Sequence, residues 1–248
     1  MNMSLPFHFK EFSINQDRCA MKIGTDGVLL GAWVSIDQNT NQILDLGAGT
    51  GIIALQLAQR NAFADIDAIE IDDAAFEQCT ENFENSSWAD RLFCYHASAQ
   101  EFATEVDESY DLIVSNPPFY SPSDRKDESL KKGEEMKKSR KLARFNDSLP
   151  FEHLVGCVHT LLSEKGSFAL ILPRKEEESF ISLASEAGLF PRRICRVKGN
   201  STSEEKRSLI EFSFQRAEIE FTRLTIETER HMYTDDYRNL VKEFYLKM

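Results

Sequence analysis

Two short segments of this chain combine residue types that could do chemistry. One is the glycine loop, Asp45-Leu-Gly-Ala-Gly-Thr-Gly51, and the other is Asn116-Pro-Pro-Phe119, which begins 65 residues beyond the last glycine of the loop. Each follows a short apolar run typical of a buried strand, at 43–46 and 110–115 respectively. Ligands bind beyond the carboxyl ends of strands in open parallel sheets, so both segments are candidates for one site.

The glycine loop predicts a nucleoside-bearing cofactor. Glycines let the backbone turn sharply from strand to helix and approach a ligand without a Cβ in the way. Dinucleotide folds share such a loop and an acid about 20 residues further on, and Glu70 lies nineteen residues beyond Gly51, where it could accept ribose hydroxyls. Asp45 would repel a pyrophosphate but attract a sulfonium, and the G-x-G-x-G spacing differs from the dinucleotide pattern. We therefore predict S-adenosylmethionine, with a nicotinamide dinucleotide and a purely helix-capping Asp45 as alternatives.

The Asn-Pro-Pro-Phe segment is typical of sites that grip a nitrogen about to be alkylated. An exocyclic amine of adenine is a poor nucleophile because its lone pair is conjugated with the ring. If the Asn116 side-chain oxygen and the Pro117 carbonyl each accept one N–H, the lone pair is aimed at the methyl group, and catalysis rests on orientation. Pro117 and Pro118 fix φ and remove competing donors, and Phe119 could stack on the base, worth roughly 1–3 kcal/mol. The alternative is a rigid proline turn without chemistry.

The elements that must position these segments follow a βαβ pattern from residue 42 onward. The predicted strands are at 43–46, 66–71, 92–95, 110–115 and 168–172, and the predicted helices at 51–60, 74–84, 151–162 and 176–187. The runs at 193–197 and 208–214 leave no room for a helix between them and should pair antiparallel at the end of the sheet. A strand at 221–226 and a helix at 235–246 follow. The prediction is an α/β, Rossmann-like fold resembling class I S-adenosylmethionine-dependent methyltransferases: a mostly parallel seven-stranded sheet with a terminal antiparallel strand and helices on both faces.

Length and charge limit the partners. The chain of 248 residues predicts one methyltransferase domain, 41–248, preceded by an N-terminal extension, 1–40, that packs on the core and shapes the mouth of the site. A net charge of −12 weighs against a polyanionic partner. Locally, however, the basic segment 125–144 has nine basic and four acidic residues, and the basic segment 192–207 has six and two. Either could direct RNA to one face, although such a run is also typical of a solvated loop.

The compartment is predicted to be the cytoplasm. No stretch approaches the roughly 20 apolar residues of a membrane span, and the first residues lack a signal pattern. The five cysteines are scattered without a C-x-x-C pair, which indicates reduced thiols and no metal site. The sequence does not determine the oligomeric state, and we expect a monomer.

Longer stretches of the chain carry a resemblance to one family. The stretch Asp17-Arg-Cys-Ala-Met-Lys-Ile-Gly-Thr-Asp-Gly27, together with the glycine loop, Asn116–Tyr120 and the ending Phe244-Tyr-Leu-Lys-Met248, resembles the bacterial tRNA1(Val) adenine N6-methyltransferases. That family modifies the adenosine beside the anticodon. The likeness spans nearly the whole chain, and Asp17–Gly27 is its discriminating part, because the other motifs occur in many amino-methyltransferases.

The resemblance implies a set of site residues. The catalytic ones are Asn116, Pro117, Pro118 and Phe119. The cofactor-binding ones are Lys22, Thr25, Asp45, Gly47, Ala48, Gly49, Gly51, Glu70, Ile71, Ser98, Ala99 and Asn116. Ser98 departs from the pattern, since an Asp there commonly accepts a hydrogen bond from the adenine amine and a hydroxyl does so more weakly.

The resemblance also implies a partner, the anticodon loop of a tRNA, whose single-stranded bases can be splayed out without melting a duplex. The candidate phosphate contacts are Arg144, Arg174, Arg193 and Lys198, which we expect near the active face. Three alternatives stay open: methylation of a protein glutamine amide, methylation of guanine N2 in ribosomal RNA, and a non-catalytic RNA-binding protein that retains a cofactor pocket.

Overall fold

The computed structural model describes residues 5–19, 21–118 and 149–248. Phe119, Arg144 and the whole basic segment 125–144 lie outside the described residues. A small antiparallel hairpin, β1 (Phe7–His8) with β2 (Ser13–Ile14), precedes the main sheet. None of the described helices has the length and apolar character that a bilayer span requires.

The described residues form a nine-stranded mixed sheet that holds the predicted site at its carboxyl edge. The strands are β3 (Gln42–Leu46), β4 (Asp65–Glu70), β5 (Leu92–His96), β6 (Tyr110–Ser115), β7 (Leu162–Pro173), β8 (Phe190–Asn200), β9 (Glu205–Ser213), β10 (Glu220–Glu229) and β11 (Met232–Tyr233). Their order is β11-β10-β8-β9-β7-β6-β3-β4-β5. Strands β3 to β7 are parallel, and β9 runs antiparallel between β7 and β8.

The predicted α/β class is confirmed, and the sheet extends further than the sequence indicated. The seven strands from β5 to β8 are the expected set, and β8 and β9 pair antiparallel as predicted. The chain then returns, so that β10 pairs in parallel with β8, and β11 follows antiparallel. The antiparallel strand therefore lies inside the sheet, and the added strands cover an edge of β8 that would otherwise expose unpaired backbone groups.

Helices cover both faces of the sheet, as predicted. They are α1 (Thr25–Trp33), α2 (Ile52–Arg60), α3 (Asp73–Glu84), α4 (Ala99–Glu105), α5 (Phe151–Leu161), α6 (Glu177–Glu186) and α7 (Asp235–Val241). One apolar core joins the sheet to α1, α2, α3 and α7, and a second joins it to α4, α5 and α6. Helix α7 ends five residues earlier than the pattern at 235–246 indicated, and α4 was not predicted.

Short polar side chains and glycine set where these helices begin and end. Asp72 caps α3 by accepting a hydrogen bond from Ala75 N at 2.8 Å, and Thr234 caps α7 by accepting one from Tyr237 N at 3.1 Å. Such caps satisfy N–H groups that have no partner within the helix. Gly188, with φ of 83°, follows the end of α6 in the left-handed conformation, which glycine adopts most readily.

Phe9, Phe12 and Ile14 of the N-terminal segment belong to the core, and the division of the chain at residue 40 stays a prediction. Lys10 N donates to Phe244 O at 2.8 Å, and the rings of Phe9 and Tyr245 lie 5.6 Å apart. These contacts join the N-terminal hairpin to the C-terminal residues. The half-buried Arg60 guanidinium holds the end of α1 by donating to Gly31 O and Val34 O at 2.7 and 2.8 Å.

Candidate active site

A cavity of about 450 Å³ lies at the carboxyl ends of β3, β4, β5 and β6. Nine of the residues predicted from the sequence line it: Gly47, Gly49, Glu70, Ile71, Ser98, Ala99, Asn116, Pro117 and Pro118. These residues come from four separate strand ends, which the order of the sheet places side by side. The glycine loop and the Asn116-Pro-Pro segment, which were predicted to belong to one site, therefore border one cavity.

The glycine loop is built to approach a ligand with bare backbone. Gly47 and Gly49 have φ of 79° and 57°, in the left-handed region that favours glycine. Gly47 N and Ala48 N both donate to Ile69 O, at 2.9 and 3.0 Å, which fixes the loop to the end of β4. A Cβ on Gly47 or Gly49 would meet no atom within 4 Å. The space beside the loop is thus open for a ligand.

Glu70 joins the loop to the next strand end. Its Oε2 accepts from Gly49 N at 2.8 Å, and its Oε1 accepts from Ile71 N and Asp72 N, each at 2.9 Å. Burial raises the pKa of Glu70, although these three N–H groups oppose the rise. Each carboxylate oxygen has two lone pairs, so Oε2 keeps capacity for a ligand hydroxyl.

Asn116 lies where β6 ends, close to the first turn of α1. Ser115 Oγ donates to Leu46 O at 2.8 Å, which joins the end of β6 to that of β3. A Cβ on Gly27 would lie 3.9 Å from Asn116 Nδ2, so the backbone of α1 passes directly beside the amide. The two prolines that follow line the cavity and offer carbonyls without N–H groups. This arrangement can accept two hydrogen bonds from one amino group.

Comparisons with known proteins agree with this geometry. The family model described as "Methyltransferase small domain" matches residues 24–137. A tRNA1(Val) (adenine(37)-N6)-methyltransferase of Flavobacterium psychrophilum is 56% identical over 242 residues, covering 98% of this chain and 100% of the relative. One of Bacteroides fragilis is 41% identical over 251 residues, covering 99% and 100%. The chain belongs to the tRNA1(Val) (adenine(37)-N6)-methyltransferase family.

Solved structures support the fold of this family member. A crystal structure described as a predicted O-methyltransferase from Agrobacterium tumefaciens superposes with a TM-score of 0.67 at 21% identity, covering 88% of this chain and 96% of that one. A precorrin-6y C5,15-methyltransferase from Geobacter metallireducens gives 0.51 at 13%, covering 82% and 92%. The predicted class I methyltransferase fold is confirmed, and the protein is an S-adenosylmethionine-dependent methyltransferase.

Asp45 carries a buried unpaired oxygen that suits a cationic cofactor, and it lies beneath the cavity wall rather than on it. It is fully buried beneath the loop, where Oδ2 accepts from Ala54 N at 3.3 Å and Oδ1 has no partner among the described residues. Burial raises the pKa of Asp45 to about 7; the Ala54 N–H opposes the rise and the charge of Glu70 adds to it. A buried carboxylate oxygen without a partner is unusual in native structures. A sulfonium or ammonium group nearby would supply the missing favourable interaction.

Five predicted cofactor residues do not line the cavity: Lys22, Thr25, Asp45, Ala48 and Gly51. Gly51 precedes α2 and faces Phe83, and Ala48 is buried. Lys22 and Thr25 lie before and at the start of α1, and their role at the mouth of the site stays a prediction. Within the described ranges, no three His, Cys, Asp or Glu side chains are grouped so that they could hold a metal ion, and none of the five cysteines is in a disulfide.

The described RNA-binding candidates are engaged with other protein groups. Arg174 lies 3.6 Å from Glu177 and 3.4 Å from Glu178, and Lys198 Nζ donates to Ser201 O at 3.2 Å. The Arg193 guanidinium stacks on Trp33 at 4.4 Å and contacts Glu211 at 3.2 Å.

The expected position of Arg193 is wrong. It borders a second, polar cavity of about 340 Å³ together with Lys165, Gly166 and Ser167 in the first half of β7, rather than the cavity at the carboxyl ends. Its side chain is drawn there by Glu211, which meets it only through the pairing of β8 with β9. Its role in RNA binding stays a prediction without support from position.

Part of the cavity wall was not predicted from the sequence. Cys19, Met21, Gln100, Leu149 and Pro150 also line the cavity. The first two belong to the stretch Asp17–Gly27 that carried the family resemblance. Gln100 lies two residues beyond Ser98, within a segment already expected at the cofactor, so its polar side chain was the available signal. The other two lead into α5, and only the tertiary fold brings them here.

Gly51→Ala should destabilise the protein more than alanine at Gly47 or Gly49. A Cβ there would lie 2.6 Å from Phe83 Cε1 and 2.9 Å from Cys79 Sγ, both buried, and φ is 79°. Overpacking and left-handed backbone together should cost about 3 kcal/mol. Urea unfolding of the cofactor-free protein measures this loss. Gly49→Ala is the matched control, since it has open space and should cost only about 1 kcal/mol; equal losses would contradict the packing argument.

Proposed function

We propose that this protein transfers a methyl group from S-adenosylmethionine to N6 of adenosine 37 in tRNA1(Val), beside the anticodon. One observation carries the proposal: Asn116, Pro117 and Pro118 line the same cavity as the glycine loop and Glu70, in a chain that matches proteins of that name over 98% of its length. The cofactor and acceptor motifs are therefore arranged for direct transfer between their ligands. A tRNA substrate also implies that the protein acts in the cytoplasm.

The acceptor amine is proposed to be held by two oxygens. The Asn116 side-chain oxygen and the Pro117 carbonyl each accept one N–H, so the nitrogen lone pair points along the line of attack. S-adenosylmethionine, when bound, supplies the electrophilic methyl group. The Ser115 hydroxyl bond to Leu46 O keeps the end of β6 beside the glycine loop, and this fixes the two oxygens relative to the cofactor. The amine proton becomes acidic on methylation and leaves to water, so no general base is required.

The rest of the site is proposed to orient the cofactor. Glu70 Oε2 accepts a ribose hydroxyl beside Gly49 N, and Gly47 and Gly49 pass against the ligand with bare backbone. Asp45 stabilises the cationic methionine moiety from below the loop. Preorganised groups of this kind lower the barrier without reorganising during the reaction. In this proposal Asp45 and Glu70 determine cofactor affinity, and Asn116 determines the turnover of methyl transfer.

The tRNA is proposed to present its anticodon loop with the base of adenosine 37 splayed out into the cavity. The chain is acidic overall, so phosphate contacts should come from local cations. Of the four candidates, Arg174 and Arg193 are ion-paired within the protein, Lys198 lies at the carboxyl edge near the end of β8, and Arg144 is outside the described residues. Phe119, also outside them, is proposed to stack on the base.

The proposal is tested with labelled S-adenosylmethionine and two transcripts of tRNA1(Val), one unchanged and one with guanosine in place of adenosine 37. Nucleoside analysis should find N6-methyladenosine in the first transcript and no label in the second. Label in both transcripts would overturn the assignment to position 37. Parallel reactions contain a release factor and ribosomal RNA, and label in a glutamine or a guanine there would overturn the proposed acceptor. Cofactor binding with no transfer to any of these would favour a non-catalytic RNA-binding protein.

A further inference from the structure

Ser98, the residue expected to recognise the adenine amine, already has a structural role. Ser98 is the N-cap of α4: its Oγ accepts from Glu101 N at 3.2 Å and donates to Glu101 Oε2 at 2.7 Å. Glu101 in turn accepts from Ser98 N at 3.1 Å, which completes a capping box. The hydroxyl proton and one lone pair of Ser98 are therefore used to begin the helix. One lone pair of Ser98 Oγ is left as an acceptor, so a stronger acceptor elsewhere on this wall would recognise the amine better.

Gln100 offers that acceptor. It lines the cavity two residues beyond Ser98, and its Nε2 lies 2.8 Å from His153 Nδ1 in α5. With the amide nitrogen facing Nδ1, the amide donates and Nδ1 accepts, in the tautomer that carries the ring proton on Nε2. The carboxamide is thereby held with its nitrogen toward α5. Its Oε1 makes no hydrogen bond within the described part of the chain.

The geometry of the sheet places the adenine near this amide. Strands β3, β4 and β5 are neighbours in that order, so a cofactor that starts at the glycine loop and passes Glu70 reaches the end of β5 with its base. The cavity wall there includes Ile71, Ala97, Ala99 and Leu149. These apolar side chains suit the faces of a planar ring, while the edge of the ring needs a polar partner.

We propose that Gln100 Oε1 accepts a hydrogen bond from the exocyclic amine of the cofactor's adenine, and that His153 orients the carboxamide for this contact. Gln100 is then a binding residue for the base, and His153 is a positioning residue that acts through it. The inference rests on S-adenosylmethionine as the cofactor and deepens that part of the proposed function. It assigns the recognition of the base to a pair that joins α4 to α5.

The test compares two neutral product-like ligands by titration calorimetry: S-adenosylhomocysteine and S-inosylhomocysteine, in which a carbonyl replaces the amine. The unchanged protein should bind the first about tenfold more tightly, because the second offers Gln100 Oε1 another acceptor in place of a donor. Gln100→Leu should weaken S-adenosylhomocysteine by about 3- to 10-fold, as expected for one lost hydrogen bond. It should leave S-inosylhomocysteine nearly unchanged, so the preference narrows at least threefold.

Two further variants separate recognition from damage to the wall. Gln100→Glu should keep more of the preference for the amine than Gln100→Leu, because a carboxylate still accepts from the amine although it has no N–H to donate to His153. Gln215→Leu is the matched control, since Gln215 is exposed beyond the end of β9, and it should bind both ligands like the unchanged protein. If Gln100→Leu keeps the full preference, or weakens both ligands equally, the proposal is overturned.

The histidine is tested by His153→Phe, which keeps a ring but removes the acceptor at Nδ1. S-adenosylhomocysteine should then bind about threefold more weakly, with S-inosylhomocysteine little affected. Unchanged affinity for both would overturn the orienting role of His153. Failure of the unchanged protein to bind S-adenosylhomocysteine at all would instead count against the proposed function, so the two failures are distinguishable.

Discussion

Asn116→Ala should lower the turnover of methyl transfer to tRNA by about three orders of magnitude while changing cofactor affinity by less than about threefold. The side-chain oxygen is proposed to hold the acceptor nitrogen, and removal of one preorganised donor or acceptor at a reacting centre typically costs roughly 10²–10³ in rate. The cofactor keeps the glycine loop and Glu70. Single-turnover transfer with saturating tRNA, together with calorimetry of cofactor binding, measures both quantities.

Two variants accompany that measurement. Asn116→Asp keeps an oxygen at the same place and should retain more activity than the alanine variant, although its charge alters the acceptor. Asn239→Ala removes an exposed asparagine of α7, far along the chain from the cavity residues, and should behave like the unchanged protein. Lost cofactor binding with normal turnover per bound complex would assign Asn116 to the cofactor instead of the acceptor.

Asp45→Asn should weaken S-adenosylmethionine by about 10- to 100-fold at pH 8, because a charge-assisted interaction with the cationic methionine moiety is lost. The pKa of Asp45 is raised to about 7 by burial, so the unchanged protein carries this charge fully only above that pH. Cofactor affinity of the unchanged protein should therefore rise from pH 6 to pH 8. In the Asp45→Asn variant most of that rise should disappear. Titration calorimetry at the two pH values measures it.

The same substitution should stabilise the cofactor-free fold. A carboxyl whose pKa rises from 3.8 to about 7 on folding binds more protons in the native state than in the unfolded state between those values. Stability therefore falls as pH increases from about 4 to about 7, by up to about 4 kcal/mol in total. Urea unfolding should show the Asp45→Asn variant more stable than the unchanged protein at pH 8 and similar to it at pH 4.

Asp107→Asn is the matched control for both experiments, since Asp107 is exposed in the loop before β6. It should change neither the pH dependence of cofactor affinity nor that of unfolding. An Asp45→Asn variant that is less stable at pH 8, or that binds the cofactor as tightly as before, would show that the unpaired oxygen of Asp45 is satisfied by other means.

Much of the site could be predicted because its residues are coded locally. The glycine loop and Asn116-Pro-Pro each follow an apolar strand, and strand ends of a parallel sheet converge at one edge. The sequence also contains the pattern of a capping box, Ser98-Ala-Gln-Glu101. Our prediction assigned Ser98 to the cofactor instead. Helix α4 was missed with it, because its seven residues carry too little periodicity for a pattern to emerge.

The sequence by itself therefore determined the class of fold, the family, the cofactor and the two motifs that border the cavity, because periodicity and short motifs depend on neighbours along the chain. Only the tertiary structure decided which side chains that are distant in the sequence contact one another. It paired Gln100 with His153, drew Arg193 to Glu211 and away from the cavity, and left one oxygen of Asp45 without a partner among the described residues. Such contacts depend on strand register and on how helices pack, and these are settled by burial of the whole core rather than by any local pattern.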